Sequence, residues 1–244
     1  TLLQKVLERI NNPIFDYPII STNLSYIKLA VKFLDKYKVK KYKIILEPSK
    51  KNTSAAILSS AILDEIPFEQ PMIFLPADHL IEKPSIFAQS VKKNLSHLDE
   101  ENIFIFGIKP KSPSSQYGYI LTKKIGNGIN KVIRFIEKPN INYAKKIIKN
   151  GGLWNSGIVL ARKDSIINNF IKHQPKILDL CIKSVSRSKL DKNIIFLEKN
   201  SFKKIKEISF DHAILEKAKN INAIKLDIPW SDLGSWKEIC KIYN

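Results

Sequence analysis

Apolar residues recur along the chain with two different periods, and the alternation between those periods sets out the expected elements. Spacings of three and four predict helices over Leu2–Ile10, Leu24–Tyr37, Asn52 or Thr53 to about Glu65, Ser85–Leu98, Tyr143–Lys149, Ser165–His173, Lys176–Val185 and Asp211–Lys219. Short apolar runs predict strands at Pro18–Ser21, Lys43–Leu46, Met72–Leu75, Asn102–Ile108, Ile158–Leu160 and Ala223–Leu226. Glu47-Pro48 ends the second of these strands and Pro76 ends the third.

Strands alternating with amphipathic helices predict an α/β fold: a Rossmann-like mixed, mainly parallel sheet flanked by helices. The middle of the chain changes character. Tyr117–Leu121 and Val132–Ile136 flank a Gly126-Asn127-Gly128 turn, which predicts a small antiparallel lobe inserted in one domain spanning residues 1–244.

In an open α/β sheet, ligands sit beyond the carboxyl ends of the strands. Glu47 to Thr53 follows one buried strand, and Asp78-His79 follows another. An Asp just past a buried strand either caps a turn or ligates a cation. Mg²⁺ takes one or two carboxylates and fills its remaining positions with water and phosphate oxygen. Asp232, in Trp230-Ser231-Asp232-Leu233-Gly234-Ser235-Trp236, offers a second carboxylate. Glu137-Lys138-Pro139 ends a strand where Pro stops it, and Trp154-Asn155-Ser156-Gly157 leads into one. A Lys in such a cleft meets a phosphate, while Glu and Asn take sugar hydroxyls. Tyr117-Gly118-Tyr119 suits a backbone platform against a sugar face.

Composition narrows these readings. The net charge of +18 invites a nucleic-acid reading, but only four residues are Arg, and the many Lys are spread along the whole length. Nucleic acid is therefore not the expected partner. No apolar run is long enough for a membrane helix, and nothing at Thr1-Leu2-Leu3-Gln4 resembles a signal peptide, so a cytoplasmic protein is expected. Cys181 and Cys240 make no metal spacing, and a zinc site is not expected. The eight glycines form no phosphate-binding Gly-x-x-x-x-Gly-Lys loop.

In order and spacing, these segments resemble the mannose-1-phosphate guanylyltransferase family over essentially the entire chain. Leu75-Pro76-Ala77-Asp78-His79, Tyr117-Gly118-Tyr119-Ile120, Glu137-Lys138-Pro139, Trp154-Asn155-Ser156-Gly157 and Trp230 to Trp236 are similar to its signatures, and Phe210 to Lys217 resembles another. Leu46-Glu47-Pro48 with Asn52-Thr53 is similar to the guanylyl branch, whose pattern reads Glu-Pro-x-Gly-Arg-Asn-Thr-Ala-Pro-Ala. This chain departs from it at Lys50, Lys51, Ser54 and Ala55. The family opens with a strand and a Gly-x-Gly-Thr-Arg phosphate loop. Thr1 aligns with the helix start just after them, so a fragment without that loop and without the family's carboxy-terminal extension is expected.

The resemblance implies nucleotidylyl transfer from GTP to mannose 1-phosphate, giving GDP-mannose and pyrophosphate. Mg²⁺ would be held by Asp78 and Asp232. Lys138 would steady the sugar phosphate, Tyr117, Gly118, Glu137 and Asn155 would hold the sugar, and Glu47, Asn52 and Thr53 would face the base or ribose. A homodimer is expected of the full-length protein. The alternatives are transfer with another base or sugar, and a catalytically inactive homologue.

Overall fold

In the computed structural model, residues 2–126 and 129–232 are described. The Asn127-Gly128 part of the predicted turn, the Leu233 to Trp236 half of the tryptophan motif, and Cys240 lie outside them.

The chain runs α1 (Leu2–Ile10), β1 (Ile19–Asn23), a 3₁₀ turn at Leu24–Tyr26, α2 (Ile27–Lys36), β2 (Lys43–Glu47), α3 (Asn52–Ala61), β3 (Pro71–Phe74) and β4 (Leu80–Ile81). It continues with α4 (Pro84–Asn94), β5 (Ile103–Ile108), β6 (Tyr119–Gly126), β7 (Ile129–Ile136), α5 (Ile141–Lys149) and β8 (Leu153–Arg162). It closes with α6 (Lys163–His173), α7 (Pro175–Ser186), β9 (Lys189–Asp191), β10 (Ile194–Phe196), α8 (Lys199–Lys203), a π-helical turn at Asp211–Leu215, β11 (Ile221–Leu226) and β12 (Trp230–Ser231).

The mixed α/β class is the one the pattern predicts, but the balance of strand directions differs from the expected mainly parallel sheet. One sheet has the order β1-β2-β10-β9, with β2 parallel to both neighbours. The larger sheet has the order β3-β8-β5-β11-β7-β6, and among its described pairings only β5–β11 is parallel. The cause is β8, which runs antiparallel between β3 and β5. Its predicted core, Ile158–Leu160, extends back through Trp154 and Asn155, because Leu153 to Ser156 are buried as well. One apolar core joins the two sheets: Ile45 and Ile195 from the first pack in the same cluster as Ile105, Val159 and Ala161 from the second. Cys181 is buried there, and burial pushes its thiol up to about 12, which suits an inert core residue.

The predicted helix over Asp211–Lys219 is shorter and wider than expected. Thr53 Oγ1 accepts the Phe210 N–H at 2.8 Å, and the Glu216 N–H reaches five residues back to the Asp211 carbonyl at 2.9 Å. The segment forms a single π turn over Asp211–Leu215 in place of the expected helix.

Candidate active site

Four segments meet at one end of the larger sheet. The first is the turn after β3. Asp78 projects into solvent with 73% of its side chain exposed, and its neighbour His79 is half-buried. His79 Nδ1 lies 3.0 Å from the Ser156 carbonyl, which assigns the ring proton to Nδ1. Burial holds the imidazole below its ordinary pKa against the pull of Asp78 and Asp232.

The second is the strand pair β4–β12. Trp230 faces Ile81 and Ser231 faces Leu80 in an antiparallel register, so the next step sets Asp232 opposite His79. The two carboxylates are 154 positions apart in sequence and act on the same imidazole. An aromatic cluster fixes this arrangement. The rings of Tyr117, Trp154 and Trp230 meet at centroid distances of 4.8–6.2 Å, and His79 packs edge-on against Trp230 at 5.4 Å. The Tyr117 hydroxyl donates to Asp232 Oδ1 at 3.0 Å. The sequence reading gave Tyr117 no part in holding Asp232, and the structure shows this bond.

The third is the end of β7. Glu137 is half-buried, and burial, then the nearby Asp211, raise its pKa. Lys138 adopts a left-handed backbone (φ 44°), a conformation a non-glycine residue takes at a cost, with its ammonium 3.6 Å from Glu137 Oε1 and largely in solvent. Gly118 lies directly under Glu137. A Cβ there would come within 2.6 Å of Glu137 Oε2, so only glycine leaves the carboxylate its place. Tyr119 holds this approach: its hydroxyl accepts from the Ser114 N–H at 2.9 Å and donates to the Ser114 carbonyl at 3.0 Å.

The fourth is Asn155 inside β8, expected near a strand start and found buried within the strand. Its N–H donates to the Gly118 carbonyl at 2.8 Å, its Oδ1 accepts from the Gly157 N–H at 3.2 Å, and its Nδ2 donates to Asp211 at 2.8 Å.

Glu47, Asn52 and Thr53 sit at the carboxyl end of the other sheet. Ser21 Oγ donates to Glu47 Oε1 at 2.7 Å, and burial raises the Glu47 pKa. Asn52 is exposed, has a left-handed backbone (φ 67°), and accepts the Thr53 N–H on its own Oδ1 at 2.8 Å. The Thr53 hydroxyl is engaged with Phe210, as above. Lys51 Nζ donates to the Lys203 carbonyl at 2.6 Å.

Two residues escaped the sequence reading. Arg9 is 1% exposed, donates from Nη2 to the His79 carbonyl at 2.8 Å, and packs 5.9 Å from the Phe87 ring centroid. Burial holds its pKa down to about 10. Asp211 was visible only as part of a helical motif. A charged residue on the apolar face of α1, and an Asp opening a buried turn, were the available signals.

A family model described as nucleotidyl transferase matches residues 1–244. The chain belongs to the nucleotidyl transferase family. It is 30% identical over 251 residues to the mannose-1-phosphate guanylyltransferase of Escherichia coli, a match covering 99% of this chain and 54% of that protein. It is 33% identical over 227 residues to the xanthan biosynthesis protein XanB of Xanthomonas campestris, covering 92% of this chain and 48% of that one. The chain thus spans about half the length of the curated relatives it matches. Among solved structures, a Helicobacter pylori protein described as mannose-6-phosphate isomerase superposes with TM-score 0.84 at 28% identity, covering 94% of this chain and 90% of that one. A Thermus thermophilus protein described as mannose-1-phosphate geranyltransferase shares the fold with TM-score 0.83 at 22% identity, covering 100% of this chain and 69% of that one. No described helix of this nucleotidyl transferase chain is long and apolar enough to cross a membrane.

Proposed function

We propose that this chain is catalytic machinery for transfer of a guanylyl group from GTP to mannose 1-phosphate, giving GDP-mannose and pyrophosphate. The observation that carries the reading is the convergence of Asp78 and Asp232 through the β4–β12 register. Membership of the nucleotidyl transferase family supports the reaction class, and similarity to a mannose-1-phosphate guanylyltransferase supports the choice of base and sugar.

The donor set fits Mg²⁺. Among the described residues no group of three or more His, Cys, Asp and Glu is arranged to hold a metal, which argues against a closed structural site. Two carboxylates, one of them largely in solvent, suit an ion that keeps water and phosphate oxygen in its shell. Bound between Asp78 and Asp232, Mg²⁺ would supply charge neutralisation and Lewis acidity at the phosphates.

The chain's own residues supply position and charge. A phosphate oxygen of mannose 1-phosphate attacks the α-phosphorus of GTP in line; a P–O bond forms, the bond to the β-phosphate breaks, and pyrophosphate leaves. No covalent enzyme intermediate is needed. The exposed Lys138 ammonium meets the sugar phosphate. Glu137, held clear by Gly118, accepts from sugar hydroxyls. Tyr117 orients Asp232 through its hydroxyl, and Asn155 braces the Gly118 carbonyl. Glu47, Asn52 and Thr53 border the nucleotide side, where Thr53 acts through its bond to Phe210.

A pyrophosphate-release assay tests the proposal, with GTP, ATP, UTP and dTTP each paired with mannose 1-phosphate and glucose 1-phosphate. The expected result is Mg²⁺-dependent release strongest for GTP with mannose 1-phosphate. Release strongest with another pair would move the specificity, and no release with any pair would overturn the catalytic reading.

A further inference from the structure

The roles above leave Asp211 unused, although it lies at the junction of the sugar side and the nucleotide side. Its Oδ1 accepts one N–H of Asn155, whose amide oxygen is bonded at the other end by the Gly157 N–H. An amide held at both ends has a single orientation. Asp211 also neighbours Glu137, the carboxylate seated over Gly118. Its backbone is anchored from the far side, because Thr53 at the start of α3 accepts the N–H of Phe210. The turn it opens is π-helical, a geometry found disproportionately at functional sites.

The charges around it are unusual for a packing role. Lys138 reaches Glu137 from the solvent side, and His212 pairs with Glu216 at 3.0 Å. Among the described residues no cation makes a salt bridge with Asp211. Two neighbouring buried carboxyl groups are costly in the free protein, and Lys138 and His212 nearby offset that cost only in part. Adjacent hydroxyls of a sugar bring the donors that such a pair lacks.

We infer that Asp211 is a positioning residue for the hydroxyl end of a pyranose 1-phosphate, acting through the Asn155 amide and the Glu137 carboxylate. The inference rests on the proposed function and specifies how its sugar subsite is built. The charge, more than the shape, is what the site needs: Asn at this position keeps an acceptor for Asn155 and removes the like-charge neighbour of Glu137.

The test is Asp211→Asn and Asp211→Ala in the chain as it stands, followed by melting temperature, KM for each substrate in the pyrophosphate-release assay, and calorimetric binding of mannose 1-phosphate. Asp211→Asn is expected to melt no lower than the parent at neutral pH. Its KM for mannose 1-phosphate is expected to rise on the order of tenfold, and its KM for GTP to stay within about twofold. Asp211→Ala is expected to weaken sugar phosphate further, because Asn155 loses its acceptor. Unchanged sugar-phosphate affinity in Asp211→Asn, or a parallel rise in both KM values with a lower melting temperature, overturns the inference. If the parent chain turns over no pair, the functional reading fails, and calorimetry alone decides: weaker mannose 1-phosphate binding by Asp211→Asn upholds the inference, and no binding by the parent overturns it.

Discussion

The Tyr117 hydroxyl donates to Oδ1 of Asp232 at 3.0 Å, joining the loop before β6 to the segment after β12. The ring below that hydroxyl is wedged between Trp154 and Trp230, so packing aims the donor. Removing the hydroxyl alone separates these two jobs. Tyr117→Phe is expected to keep the parent melting temperature within a few degrees. Its half-saturating Mg²⁺ concentration should rise several-fold, the equivalent of about 1–2 kcal/mol for a hydrogen bond to a charged group. A Mg²⁺ titration of pyrophosphate release measures this, and an unshifted midpoint would show that Asp232 is oriented by other means.

Gly118→Ala tests the seat of Glu137. The added methyl would lie 2.6 Å from Glu137 Oε2 and 3.2 Å from the Phe135 ring, so the carboxylate must move. That oxygen is the far end of a flexible side chain, so the shift should show in binding rather than in stability. The KM for sugar phosphate should rise while the KM for nucleotide holds. A variant with parental kinetics would remove Glu137 from sugar recognition.

Acidity should matter in a direction set by Glu137 and Asp211. Burial raises both carboxyls above their ordinary values, and the charge of Asp211 adds to the rise at Glu137. Between the ordinary carboxyl range and those raised values, the folded chain holds protons that the unfolded chain has lost. Stability therefore falls as pH climbs through that window, and the loss is complete above it. Glu137→Gln should flatten this part of the profile. Denaturant unfolding at a series of pH values checks it, and a parental slope in Glu137→Gln would assign the effect elsewhere.

Lys163 provides a contrast away from the site. Its buried ammonium donates to the carbonyls of Leu63 and Ile66 at 2.8 and 2.7 Å, closing the chain after α3. Lys163→Met strands both carbonyls and should cost about 2–4 kcal/mol of stability, with both KM values unchanged. Chemical denaturation together with steady-state kinetics separates the two effects.

Much of this architecture was legible in the chain. The strands read from spacing alone at Lys43–Leu46 and Asn102–Ile108 match β2 and β5 to within a residue, and Asp78 was placed past the end of its strand. What escaped depends on contacts distant in sequence. No local pattern reports that Trp230 and Ser231 pair with Ile81 and Leu80, although that two-residue ladder brings Asp232 to the His79 imidazole that Asp78 also reaches. The π turn at Asp211 begins next to a long-range bond, from the Phe210 N–H to the Thr53 hydroxyl 157 positions earlier. Asn155 reads as a residue at the start of a strand, and it is the third residue of β8. The acceptor on Asp211 and the Gly157 N–H satisfy the two ends of its amide and make its burial tolerable. The mainly parallel sheet was an overextension of the strand–helix alternation, since β8 returns between β3 and β5 in the opposite direction.

The central claim is that Asp78 and Asp232 serve one divalent ion. The direct measurement is the rate of pyrophosphate release at saturating GTP, mannose 1-phosphate and Mg²⁺ for Asp78→Ala, Asp232→Ala and the double variant. Each single change should lower the rate on the order of 10²-fold or more, and the double variant should be scarcely slower than either, because groups acting as a unit are not additive. Near-parental rates in both single variants, or losses that multiply in the double, would contradict the account.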